Sequence, residues 1–82
     1  DEEEKADYML EQALLQLRVN HLEECIATCN DIFALKEDMA DAYKICGIAY
    51  GEKKNKAKMQ QMLGKAKDLG AENTDELLEK YK

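Results

Sequence analysis

The sequence predicts an all-α chain: two helix–turn–helix units closed by a short fifth helix. Three observations carry this. The 82 residues contain no proline and only one Phe. Ala, Leu, Lys, Glu, Met and Gln dominate, and these are strong helix formers. Apolar residues recur at helical rather than strand spacing. The apolar pattern also repeats after 34 residues: Ala13 and Gly47 are small residues in mid-helix, and Cys25/Met59, Cys29/Leu63, Ile32/Ala66 and Leu35/Leu69 follow in step. A fixed period of this length is the mark of a stacked helical repeat.

The elements follow in order. The acidic run Asp1–Glu4 either frays or extends the first helix, at the end where the dipole favours negative charge. The first helix is expected over about 6–19. Leu10, Leu14 and Leu17 share one face, and Tyr8, Leu15 and Val19 lie on another. A helix apolar on two sides expects neighbours on both. Asn20-His21 is the first break, because Asn tolerates left-handed backbone. The second helix covers about 22–35, with Leu22, Cys25, Ile26, Cys29, Ile32 and Phe33 on its buried side. Lys36-Glu37-Asp38 is a turn, and Asp38 is the expected N-cap of a third helix over about 39–51. Lys53-Lys54-Asn55 turns into a fourth helix over about 56–69, stopped by Gly70. Thr74, with Glu76, Leu77 and Leu78, opens a fifth helix that ends near Tyr81.

At these residues the chain resembles the tetratricopeptide repeat family, whose unit is about 34 residues long. Tyr43, Cys46, Gly47 and Tyr50 match the large–large–small–aromatic spacing of the family's first helix. Met59, Leu63 and Ala66 match the small–aromatic–small spacing of its second, with Met and Leu in place of the usual Ala and aromatic. The first unit is looser. Met9, Ala13, Cys25, Cys29 and Ile32 are in register, but Gln12 and Gln16 stand at positions normally large and apolar. Glu37 and Ala71 replace the proline that often closes a unit. The resemblance implies one right-handed α-solenoid domain over 1–82, with repeat 1 at about 6–38, repeat 2 at about 39–73 and a capping helix at 74–82. The alternative is an unrelated five-helix bundle.

The formal net charge is −6, which disfavours wholesale attraction to nucleic acid. Residues 1–41 carry twelve acidic and three basic side chains, and residues 42–82 carry six and nine. The chain is therefore electrically polar from end to end. Lys53, Lys54, Lys56, Lys58, Lys65 and Lys67 form a basic cluster, read first as a solvated face and second as a surface for an acidic protein. Three cysteines cannot all pair within one chain, and they fit a reducing, cytoplasmic setting. No apolar run approaches the ~20 residues that span a bilayer, and no stretch reads as a signal sequence. The chain opens on Asp1 rather than Met, as an excised fragment would.

Catalytic chemistry has little to stand on. There is one His, His21, and no Ser at all. Glu23-Glu24 belongs to an exposed helix face, and no nucleophile–base–orienter set is visible. His21, Cys25 and Cys29 recur at i, i+4 and i+8. The outer two are separated by a rise of about 12 Å, too far to share one ion. The cysteines read as core residues, so no metal or cofactor is expected.

The expected role is non-catalytic protein–protein binding, as an adaptor. The resemblance places the partner-binding concave wall on the first helix of each unit: Leu10, Leu14, Leu17 and Arg18, then Asp41, Lys44, Ile48 and Glu52. The Lys/Asn clamp for a terminal carboxylate, found in chaperone-binding members, is replaced here by Leu10, Leu14, Lys44 and Ile48. Leucines there suit an apolar ligand, helical or extended. The rival expectation is self-association through the same apolar surface, giving a homo-oligomer.

Overall fold

The computed structural model describes all residues, Asp1–Lys82. It contains five α-helices: α1 (Glu2–Arg18), α2 (Leu22–Leu35), α3 (Ala40–Glu52), α4 (Lys56–Asp68) and α5 (Thr74–Lys80). Three residues link α1 to α2, and three link α3 to α4. Links this short fold each pair back as a helical hairpin. The hairpins meet through α2 against α3 and α1 against α3, and α5 packs on α4. The Cα extents are 37 × 26 × 17 Å, so the molecule is a slab about two helices thick.

Local chemistry explains most boundaries. The acidic run extends α1 rather than fraying: the Asp1 carboxylate accepts a hydrogen bond from the Glu4 N–H at 3.0 Å, and Glu2, Glu3 and Glu4 fill the first turn. Asn55 caps α4 in the same way, accepting from the Lys58 N–H at 3.2 Å. The other three entries have no side-chain cap bond, and the one at α3 differs from expectation. Asp38 is exposed and does not cap α3; Met39 takes the N-cap position in extended backbone, with no side-chain bond. The reason is packing, since the Met39 side chain is drawn into the core and sets where the chain turns. The turn is held instead by the Tyr43 hydroxyl, which donates to the Glu37 carbonyl at 2.8 Å. At α5 the N-cap is Asn73 in left-handed backbone, again with no side-chain bond.

Three helices end by the same device. Asn20, Lys54 and Gly70 have φ of 64°, 66° and 94°. The next N–H then reaches back to the carbonyl five residues earlier: His21 to Gln16 at 2.8 Å, Asn55 to Tyr50 at 2.9 Å and Ala71 to Ala66 at 2.9 Å. This is the Schellman arrangement, which satisfies carbonyls left over at a helix end. Asn20 and Gly70 are residues that favour it. Lys54 is not, and a non-glycine residue there costs about 1–2 kcal/mol.

The core is built from small and medium residues. Cys25, Cys29 and Ile32 of α2, Cys46 of α3, and Met59 and Leu63 of α4 are the largest fully buried side chains. Ala6, Ala13, Ala42, Ala49 and Ala66 are fully buried too, which lets the helices approach closely. Gly47 shows how closely: a Cβ there would lie 2.7 Å from Leu63 Cδ2 and Cγ and 3.2 Å from the Leu63 backbone nitrogen. The polar anomaly at Gln16 is resolved by pairing. Its side-chain oxygen accepts from the buried Thr28 hydroxyl at 2.8 Å, tying α1 to α2. No buried side-chain N or O lacks a partner.

Candidate functional site

A groove of about 270 Å³ runs between α1 and α3. Its floor is Leu10, Leu14 and Leu17 of α1 with Ile45 and Ile48 of α3, and Glu11, Asp41 and Lys44 add charge around it. The spacing of the leucines turns them to one side of α1, and Ile45 and Ile48 face them from α3. Leu10 and Leu17 are half-buried because their inner atoms pack on the core, whereas Leu14 is 38% exposed. An exposed leucine flanked by two half-buried ones is an unfilled apolar surface, with a cost in water that an apolar ligand relieves.

Six of the eight residues anticipated for partner binding line this groove: Leu10, Leu14, Leu17, Asp41, Lys44 and Ile48. The other two do not. Arg18 is exposed in the last turn of α1. Glu52 closes α3 and accepts a 2.5 Å hydrogen bond from the Tyr81 hydroxyl, so it belongs to the α5 junction. Ile45 and Glu11 join the groove without having been anticipated. Ile45 was legible in principle, because it lies one turn before Ile48 on the same side of α3.

The second apolar side of α1 is open. Tyr8, Leu15 and Val19 are 70%, 60% and 52% exposed, so the neighbour expected on that side is not supplied by this chain. Three surface ion pairs link neighbouring elements. Lys36 reaches Glu3 at 3.1 Å, Lys53 pairs with Glu23, and Lys67 reaches Asp75 at 2.8 Å. The Glu3 and Asp75 bonds raise the Lys36 and Lys67 ammoniums above their usual range. Exposed pairs of this kind add little to stability.

Neither a family model, nor a curated protein, nor a solved structure matches the chain.

The thiols occupy the interior. Cys25, Cys29 and Cys46 are free and fully buried. Hydrogen bonding to Cys25 and to Cys46, and then burial, push the Cys29 thiol up and keep it neutral. A neutral buried thiol is a poor nucleophile and behaves as a small hydrophobe. His21 stands apart from them, exposed in the first turn and 3.7 Å from Glu24. No three His, Cys, Asp or Glu side chains converge as a metal centre requires. No helix is long and apolar enough to cross a membrane.

Proposed function

We propose that this chain is a tetratricopeptide-like, non-catalytic adaptor of the cytoplasm that binds a helix or extended segment of a partner protein in the α1–α3 groove. The observation that carries the reading is the leucine stripe: Leu10, Leu14 and Leu17 face Ile45 and Ile48 across an open channel, and Leu14 is exposed there. A partner helix presenting apolar side chains at i, i+3, i+4 and i+7 matches such a channel. Glu11, Asp41 and Lys44 would then fix its direction through charge. The repeat reading is supported by the Schellman ends at Asn20 and Lys54, which stand one 34-residue period apart. Three free thiols agree with a reducing compartment.

The test is Leu14→Asp. Proteins retained by the immobilised native chain should be lost to the variant, with affinity falling about tenfold or more, while circular dichroism stays unchanged. Equal retention by both forms would remove the groove from consideration. If the variant unfolds instead, the stripe is core and the channel is not a binding surface. The second reading is self-association through the same groove, and the exposed Tyr8, Leu15 and Val19 on the other side of α1 add apolar area that favours it. Sedimentation equilibrium separates the two: a mass that rises with protein concentration supports the homo-oligomer, and a constant monomer mass excludes it.

A further inference from the structure

The lysines of the second half of the chain do not spread evenly over its surface. Lys54, Lys56, Lys80 and Lys82, with Gly51 and Tyr81, line a cavity of about 220 Å³. Lys54 comes from the α3–α4 turn and Lys56 from the first position of α4, while Lys80 ends α5 and Lys82 ends the chain. The docking of α5 brings the two pairs together. That docking is tight: a Cβ on Gly51 would lie 2.6 Å from Tyr81 Cγ, so the tyrosine ring sits directly on the α3 backbone. The Tyr81 hydroxyl is held by Glu52 at 2.5 Å, and the Lys80 ammonium lies 5.2 Å from the ring centroid. The wall that carries Lys80 and Lys82 is thereby pinned to α3.

Positive charge predominates around this cavity. No Asp or Glu side chain lines it. Lys54, Lys56 and Lys80 make no ion pair, and Lys82 meets only the exposed Glu79, at 3.5 Å. Elsewhere Lys36, Lys53 and Lys67 each hold a carboxylate. Four ammoniums around one concavity, in a chain whose net charge is −6, concentrate a positive field that an anionic group would relieve.

We propose that this cavity is a second binding site, for a run of Asp and Glu carboxylates on a partner protein. It shares no residue with the α1–α3 groove and stands independently of it. The chemistry selects among anions. Lysine presents a mobile point charge rather than the planar fork with which arginine grips one carboxylate or phosphate, and the only arginine, Arg18, ends α1, so the cavity suits several dispersed charges better than one compact anion. A single-stranded nucleic acid is also held by aromatic faces on which its bases stack. Tyr81 is the only aromatic in the cavity, and its ring is committed to Gly51 and Lys80. Flexible ammoniums spread around an open cavity suit flexible carboxylates spread along a chain.

The experiment is a titration of the ¹⁵N-labelled chain with hexaglutamate at low ionic strength, read by amide shifts. Shifts should concentrate at Gly51, Lys54, Lys56, Tyr81 and Lys82 and shrink as salt is added. The double variant Lys54→Gly, Lys80→Gln should bind about fivefold more weakly or worse. Its fold is protected, because glycine is at ease at the left-handed position that Lys54 occupies. Lys65→Gln, away from the cavity, should bind as the native chain does. Unchanged affinity in the double variant, or shifts confined to other residues, would overturn the site. Inorganic phosphate or an oligothymidylate binding as tightly as hexaglutamate would overturn its assignment to an acidic protein segment.

Discussion

Two glycines inside helices have opposite roles in the fold. Gly47 sits in α3 against Leu63, and any side chain there meets atoms at 2.7 Å. Leu63 is fully buried and has nowhere to swing. Gly47→Leu should therefore cost about 1–3 kcal/mol through overpacking. Gly64 lies in the interior of α4, and a Cβ added there meets nothing within 4 Å. Gly64→Ala should stabilise by about 0.5–1 kcal/mol, because it removes backbone freedom from the unfolded chain without a clash. Thermal melts of the two variants check the pair. A Gly47→Leu protein that melts like the native one would contradict the α3–α4 packing.

Among the elements, α5 is the shortest. It has seven residues, too few to be stable as an isolated helix, and it is held to the body by Tyr81 on Gly51, Tyr81 to Glu52 and Lys67 to Asp75. Burial first, and then the hydrogen bond to Glu52 with the charge of that carboxylate, raise the Tyr81 phenol to about 12. The unfolded phenol ionises near 10. The neutral form is the one that fits, so this stabilisation is complete below pH ~10 and is lost as pH rises through about 12. Helicity should fall over that window, in step with tyrosinate absorbance. In Tyr81→Phe this part of the alkaline loss should vanish; a residual slope from Tyr50, also raised by burial, should remain. Identical alkaline curves for native and variant chains would refute the linkage.

At the scale of the whole molecule, the three thiols report on cooperativity. Cys25 and Cys29 on α2 and Cys46 on α3 are fully buried where the two hairpins meet. A reagent reaches them only when that meeting opens. All three should label slowly in native buffer and at one common rate, and labelling should accelerate at the denaturant concentration where helicity is lost. Fast labelling of Cys46 alone would show that the second hairpin opens by itself and that the chain does not unfold as a unit.

The helices were legible because helix propensity, apolar spacing and the conformational tolerance of Asn20 and Gly70 act over a few residues. The bounds of α2 agree with expectation at both ends, and those of α3 and α4 to within a residue. The repeat spacing also pointed to the small residues, Ala13 and Gly47, at which helices approach. Only tertiary packing decided the rest. Met39 displaced Asp38 as the cap because its side chain is pulled into the core. Lys54 took a left-handed conformation that no local preference favours, because the second hairpin must turn where its packing dictates. Gln16 found Thr28, Glu52 left the anticipated groove for Tyr81, and Lys80 and Lys82 joined Lys54 and Lys56. Each of these joins residues twelve or more positions apart, where spacing along the chain carries no information about distance in space. Short-range rules determined the helices and their turns, and the docking of α5 and the meeting of the hairpins determined the surfaces they present.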